Sequence, residues 1–191
     1  KGFKVCHVNI NSIRNKFDNV VELIQQANLD VFAFTETKLE ASRDLDTMYG
    51  IDGYYMYSFD RITDNSTFIN GGGSLIYVKS KFSAEIIEFP STLIPRNSEC
   101  SILKVSVTNS KPLTIVTVYN HPKVSAEIFL RFFTELNMFL LSLNSEFIIC
   151  GDFNFDLLKK TTATFKLLHL LKEFNLWQFI DGPTFDGISL L

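Results

Sequence analysis

Residues 147–154 read Phe147-Ile148-Ile149-Cys150-Gly151-Asp152-Phe153-Asn154, an apolar run closed by a glycine, with Asp152 and Asn154 two positions apart. A short, continuous apolar run predicts a buried strand, and the Gly-Asp-x-Asn turn after it projects two polar side chains from the edge of a core. Successive side chains of extended backbone turn to opposite faces, so Asp152 and Asn154 are expected to point the same way. The carboxylate can exchange a proton. The amide can hold a phosphoryl oxygen or a water without changing charge. A compatible element lies far upstream, where Val31-Phe32-Ala33-Phe34 runs into Thr35-Glu36-Thr37.

A chain of 191 residues is most simply one domain with room for a substantial core. Its apolar fraction of 46% against 20% charged residues predicts a globular chain and excludes a disordered one. The formal charge of −3 provides no bulk attraction for nucleic acid or an anionic membrane, so any phosphate site must be local or metal-assisted. Cys6, Cys100 and Cys150 lie far apart in or beside apolar runs. They read as small core residues, with neither metal-type spacing nor a disulfide framework, which favours an intracellular, reducing compartment. No apolar run approaches membrane-spanning length, and no signal peptide is visible. The chain starts on Lys1 and ends on Ile188-Ser189-Leu190-Leu191 inside an apolar run, so it reads as a piece of a longer protein.

Strand and helix patterns mix along the chain. Phe3 to Ile10 predicts a strand; Phe17, Val20, Val21 and Ile24 recur at helical spacing; Leu29 to Thr35 predicts a strand covered on both faces. Residues 40–53 are polar and irregular, and Asp64 to Gly73 is a loop rich in Asn, Asp, Thr and Gly. Further strands are expected at Ser74–Val78, Ala84–Phe89, Ser101–Val107, Leu113–Tyr119 and Phe147–Cys150. Ile128, Phe132, Leu136, Phe139 and Leu143 predict a long amphipathic helix, and Phe165, Leu168, Leu171 and Phe174 another that ends near Asn175. Helices near both ends flank a strand-rich middle. Two mixed sheets packed face to face with helices outside, a four-layer α/β/β/α sandwich, account for this α/β order.

The polar residues fall where strands end: Asn9, Glu36, Tyr119, then Asp152 with Asn154. Such rims suit ligand and catalytic groups, because a rigid sheet aims the side chains into a crevice. A lone acid in a rim of amides and hydroxyls suits a hard cation. Mg²⁺ takes one or two carboxylates, keeps waters and draws the rest from substrate phosphate. Glu36 is the candidate ligand, with Asn9 beside it. Asp152 would handle a proton, and Asn154 and Tyr119 would hold phosphate oxygens.

Each residue also has a structural explanation. Glu36 can be an acid at the start of the segment that follows it. Asn9 and Asn11 can be turn residues, and Asp152 an Asx-turn acceptor. Tyr119 can be a half-buried strand terminus. His7 reads as a core or edge histidine, His121 as a loop histidine, and His169 as one on the solvent side of a helix. Gly71-Gly72-Gly73 lacks the lysine and helix of a P-loop and reads as a flexible turn. Order and placement together carry the functional expectation.

The series Val8-Asn9-Ile10-Asn11 with Ser12-Ile13-Arg14-Asn15-Lys16-Phe17, Thr35-Glu36-Thr37-Lys38-Leu39, Asp60-Arg61, Gly71-Gly72-Gly73 through Tyr77-Val78, Val118-Tyr119, Gly151-Asp152-Phe153-Asn154 and Gly182-Pro183-Thr184 resembles the endonuclease/exonuclease/phosphatase superfamily over essentially the whole chain. More narrowly it resembles the endonuclease domain that precedes reverse transcriptase in LINE-type (non-LTR) retrotransposons. The resemblance implies a DNase I-like sandwich and metal-dependent hydrolysis of a phosphodiester in double-stranded DNA. The product would be a nick whose 3′-hydroxyl primes reverse transcription in the nucleus. By the same resemblance Glu36 binds Mg²⁺, or Mn²⁺ in its place, with Asn9 in the same shell. Tyr119 and Asn154 contact the scissile phosphate, Asp152 takes part in proton transfer, and Thr184 contacts substrate.

The family pattern continues past Leu191 into an aspartate and then a Ser-Asp-His run. The 191-residue chain is therefore expected to be inactive or nearly so, with an open sheet edge where the last strands would pair. The stretch between Asp60 and Gly71 is long for this branch. Two other readings stay open. One is a different phosphoesterase of the superfamily, acting on abasic sites, inositol phosphates or lipids. The other is an inactive remnant that only binds.

Overall fold

The computed structural model describes residues 2–39, 48–59, 72–108 and 110–184. Asp60, Arg61, Gly71, the loop residues between them and most of the polar segment 40–53 lie outside the described residues.

In chain order the elements are β1 (Val5–Asn9), α1 (Phe17–Ala27), β2 (Val31–Thr35), β3 (Tyr54–Phe59), β4 (Ser74–Lys79), β5 (Ser83–Ile87), β6 (Glu99–Ser106), β7 (Leu113–Tyr119), α2 (Ala126–Ser142), β8 (Glu146–Asp152) and α3 (Thr162–Glu173). The expected strands and helices are all present, with ends moved by a few residues. β3 is an addition. Its sequence, Tyr54-Tyr55-Met56-Tyr57-Ser58-Phe59, has no clean alternation, and pairing with β4 from Tyr54↔Lys79 to Phe59↔Ser74 makes it a strand.

The strands form two four-stranded sheets, ordered β1-β2-β4-β3 and β5-β6-β7-β8. Each is mixed. β1 runs parallel to β2 through the α1 crossover, and β7 parallel to β8 through α2; the remaining pairs are antiparallel. Parallel pairing places the C-terminal ends of β1 and β2 side by side, and likewise those of β7 and β8.

Three apolar clusters define four layers. Val20 and Ile24 of α1 pack on Phe32, Phe34, Leu75 and Tyr77, the outer face of the first sheet. Phe129, Phe132, Phe133, Leu136 and Leu140 of α2, with Leu167 of α3, cover Ile102, Val116 and Val118 of the second. Between the sheets lie Val31, Ala33, Ile76 and Val78 against Leu103, Val105 and Ile115. The helices start on side-chain caps where the sequence supplies them: Ser125 accepts from Ile128 N at 3.4 Å and Thr161 from Thr164 N at 3.1 Å. Asn28 ends α1 in the left-handed conformation.

The inter-sheet core changes character along its length. Toward the C-terminal ends of the parallel strands the aliphatic layer gives way to polar residues. Ser74 of β4 meets Ser101 of β6 at 2.5 Å, and Gly73 N donates to Glu99 Oε1 at 3.0 Å, both across the gap between the sheets. His7 Nε2 and Thr35 Oγ1 bond at 3.2 Å. Burial pushes the His7 imidazole down to about 4, so it is neutral at pH 7. It is a hydrogen-bonded histidine on the edge strand β1, within the core-or-edge reading of the sequence. Cys6, Cys100 and Cys150 are free thiols, and burial raises Cys100 and Cys150 to about 12, which removes them as nucleophiles. Among the described residues no helix is long and apolar enough to cross a membrane.

Candidate active site

The polar end of the sandwich gathers residues that are far apart in sequence. Asn9 is the last residue of β1, and Glu36 follows the last residue of β2. Because β1 and β2 are parallel with Asn9 opposite Thr35, Asn9 stands next to Glu36. In the other sheet Asp152 ends β8 opposite Tyr119, which ends β7. The Asn9 amide then bridges the sheets: Nδ2 donates to Glu36 Oε1 at 2.9 Å and to Asp152 Oδ2 at 2.9 Å. Asn11 N donates to Asn9 Oδ1 at 3.2 Å, which fixes the amide with its NH₂ toward the carboxylates.

Backbone strain is concentrated in the same place. Among the described residues, Ser12 (φ 78°), Glu36 (φ 55°) and Lys38 (φ 55°) are the residues with positive φ that are neither glycine nor asparagine. All three sit on the loops after β1 and β2. Left-handed backbone disfavours such residues, and it persists where neighbours over-determine it. Here Ser12 N donates to Glu36 O at 2.7 Å, Ile13 N to Thr37 O at 3.1 Å, Thr37 N to Gly73 O at 3.1 Å and Lys38 N to Gly72 O at 2.7 Å. Three loops are thereby laced together. Gly73 must be glycine, since its φ is +80° and a Cβ would lie 2.8 Å from Thr37 Oγ1.

Asp152 is an Asx-turn acceptor, as the sequence allowed, and also faces Asn9. Its Oδ1 accepts from Asn154 N at 3.1 Å, an Asx-turn, while its Oδ2 holds Asn9. The expected alternation from Asp152 to Asn154 does not extend that far. Asn154 lies beyond the strand with φ 50°, and its Nδ2 donates to Asn120 O at 2.8 Å. The turn, not the pleat, sets where its side chain stands. Glu36 follows the last residue of β2 in left-handed backbone, and most of the segment after it lies outside the described residues. Tyr119 is buried, with 7% exposure, on the inter-sheet side of the rim.

The other candidates are more dispersed. Thr184 is exposed and follows α3. His121 Nδ1 accepts from Lys123 N at 3.2 Å in the loop after β7, and the exposed His169 pairs with Glu173 at 3.4 Å on α3. Sequence reasoning missed Asn120, which is 2% exposed and bonded to the Asp152–Asn154 turn. It also missed Lys38, whose Nζ donates to Asn11 Oδ1 at 2.5 Å. Lys16 joins it, bonding Ile10 O and, at 3.3 Å, Asn11 O. Both lysines lie within the quoted motifs, and only the fold shows that they converge on Asn11.

An Endonuclease/Exonuclease/phosphatase family model matches residues 6–187. The chain belongs to this family. Its members are divalent-metal-dependent phosphoesterases and nucleases. The two helix-covered mixed sheets are the family's DNase I-like sandwich.

Among solved structures, the chain is similar to the endonuclease domain of TRAS1, a telomere-specific non-LTR retrotransposon. That likeness has 16% identity and a TM-score of 0.69, covering 98% of this chain and 78% of that one. It is similar as well to the Bacteroides thetaiotaomicron mannosyl-6-phosphatase Bt3783 (14% identity, 88% and 71% covered, TM-score 0.64). The human Nocturnin catalytic domain is a third (15%, 88% and 68% covered, TM-score 0.63). At these identities the likeness is one of fold. Comparison with curated protein sequences finds no match.

The donor set at the rim fits the divalent ion this family uses. Glu36 Oε1 and Asp152 Oδ2 share one Asn9 nitrogen. Both carboxylates offer hard oxygens of the kind a divalent ion takes, while the Asn9 nitrogen between them is a hydrogen-bond donor and not a ligand atom. Among the described residues no cluster of three or more His, Cys, Asp or Glu side chains forms a protein-only cage.

Proposed function

We propose that the chain is a Mg²⁺-dependent endonuclease module that hydrolyses one phosphodiester of double-stranded DNA and leaves a 3′-hydroxyl. Its parent would be a LINE-type retroelement whose reverse transcriptase extends that end on chromosomal DNA in the nucleus. The observation that carries the proposal is the Asn9 amide held between Glu36 and Asp152, one carboxylate from each sheet. The likeness to a retrotransposon endonuclease over 98% of the chain supports the DNA substrate and the retroelement parent.

Each residue's task follows from its placement. Glu36 would hold the ion, and Asn9, whose Nδ2 is bonded to Glu36, would stand beside it. The bound ion would polarise the phosphate and stabilise the charge that develops on it. Asp152 has both oxygens acting as acceptors and is pinned at Oδ1 and Oδ2. It would orient the attacking water and accept its proton. Asn154 and Tyr119, on either side of Asp152, would hold the non-bridging phosphate oxygens, and Thr184 would contact substrate further out. Lys16 and Lys38 give this rim the positive charge that the chain as a whole, at −3, lacks. Local charge of this kind is what a phosphate backbone needs.

Nicking of supercoiled plasmid tests the proposal, with Mg²⁺ and with EDTA, using the chain and a form extended by whatever natural sequence follows Leu191. Glu36→Ala and Asp152→Ala are expected to lower the rate about 10²–10⁴-fold. Folded protein that leaves plasmid intact but releases phosphate from sugar or inositol phosphates would replace DNA with a small substrate. Undiminished nicking by both variants would remove the assigned site. The extended form is expected to nick faster, because the resemblance places an aspartate and a histidine beyond Leu191.

A further inference from the structure

We propose that Asn120 is a positioning residue that sets the stance of Asp152 and Asn154, locked in place by Ser98; the proposal rests on the phosphodiesterase reading of that turn. The ladder between β7 and β8 ends at Tyr119↔Asp152. Beyond it, each hydrogen-bonding group of Asn120 is used. Its N donates to Asp152 O at 2.9 Å, its Nδ2 donates to Phe153 O at 2.9 Å, and its carbonyl accepts from Asn154 Nδ2 at 2.8 Å. Three consecutive residues of the turn are thus held by one asparagine. Its remaining group, Oδ1, accepts from Ser98 Oγ at 3.2 Å, and Ser98 Oγ accepts in turn from His121 N at 3.1 Å.

This bracket is buried, with Asn120 2% and Ser98 9% exposed. A buried amide with all its groups paired has one orientation, because any rotation would orphan a polar atom. The turn it holds has no strand partner after residue 152 and runs through left-handed backbone at Asn154. Without the side-chain bonds to Phe153 and Ser98, the turn loses the contacts that keep the Asp152 carboxylate facing Asn9. Asn120 itself stays behind the turn and makes no contact with Asn9 or Glu36 among the bonds described. It acts through Asp152 and Asn154.

The test uses wild type, Asn120→Ala, Ser98→Ala and the double variant, as the 191-residue chain for exchange and in the extended form for nicking. Two readouts are taken: amide hydrogen exchange by NMR, and Mg²⁺-dependent plasmid nicking. The Asn154 amide donates to Asp152 Oδ1, so its protection reports the stance of that carboxylate directly. In Asn120→Ala this amide is expected to exchange about 10–100-fold faster, and kcat to fall by a similar factor with KM changed less than about twofold. Amides in the middle of β7, such as Val116, should keep their protection, which global destabilisation would not allow. Ser98→Ala should show a smaller effect in the same direction, and the double variant should equal Asn120→Ala.

Folded Asn120→Ala with unchanged Asn154 protection overturns the proposal. If Asn120→Ala does not fold, Ser98→Ala decides on the same readout. Absence of nicking by the extended wild type would count against the phosphodiesterase reading alone, and the exchange result would still decide the role of Asn120.

Discussion

Asn9 Nδ2 and Asp152 Oδ2 lie 2.9 Å apart although 143 positions separate them in the chain. The bond joins the last residue of β1 to the last residue of β8, and so joins the two sheets at the rim where Glu36 also stands. Its geometry ties the packing of the sandwich to the geometry of the candidate site.

The bridge predicts how Asn9 variants respond to a divalent ion. Asn9→Asp replaces the shared donor with a third carboxylate between Glu36 and Asp152. Like charges that close repel. The variant should therefore melt below wild type in EDTA, and Mg²⁺ should raise its melting temperature more than it raises that of wild type. Melts with and without the ion check this. Equal melting in EDTA would mean that the bridge does not hold the carboxylates in solution.

Gly151 predicts a large loss of stability. Its φ is +150° and a Cβ there would lie 1.8 Å from Val118 O, inside the β7–β8 ladder. Backbone cannot swing aside as a flexible side chain can. Gly151→Ala is expected to cost about 3 kcal/mol or more and to lower soluble yield. Denaturant unfolding reads the difference directly.

Asp30 predicts a pH dependence remote from the site, at the opposite end of β2. Burial pushes its carboxyl up, but the Lys81 ammonium at 3.0 Å, the Lys4 amide at 3.1 Å and the Lys79 charge outweigh burial and leave it below the usual carboxylate value of 3.8. A depressed native value means that the unfolded chain binds the proton first. The stabilisation is therefore complete above about pH 4 and is lost as pH falls through the native value. Lys81 is largely exposed, so the pair is screened. Asp30→Asn should lower the melting temperature at pH 7 by about 2–4 °C, corresponding to about 1 kcal/mol. The gap should close in acid, and nicking should be unaffected. A gap that widens below pH 4 would contradict this assignment.

Asn137 predicts a gain. It is fully buried in α2, and its Nδ2 bonds back to Phe133 O at 2.7 Å, while its Oδ1 has no partner. An orphaned buried acceptor costs about 1–3 kcal/mol. Asn137→Leu keeps the branching and removes the orphan, so thermal melts should show a more stable protein. A less stable one would mean that a buried water already satisfies Oδ1.

How much could be read before the fold was seen differs by element. β2 and β8 were legible because a buried strand must be apolar along its whole length, and that property is local. α2 was legible because Ile128, Phe132, Leu136, Phe139 and Leu143 mark one helical face. β3 was not, because its tyrosines and Ser58 follow no period of two and β4 supplies the order. Asn9, Glu36, Tyr119 and Asp152 could be singled out as rim residues, since each ends or follows a strand. Asn154 was singled out too, but for the wrong local reason, because a turn rather than the pleat aims it. Asn120 left no signal at all. An asparagine after a strand is ordinary in sequence, and its four bonds exist only once Ser98 and β8 arrive beside it.

The sequence by itself determined the strands and helices other than β3, their buried faces, and the residue types available at the strand ends, because burial and periodicity are properties of short segments. The tertiary structure decided which of those ends meet. Parallel pairing through α1 and α2 set Asn9 beside Glu36 and Tyr119 beside Asp152, and packing of the two sheets brought the pairs together on one amide. The left-handed backbone of Glu36 and the single orientation of Asn120 also follow from that packing, since bonds from distant loops hold both against what their own sequence would adopt.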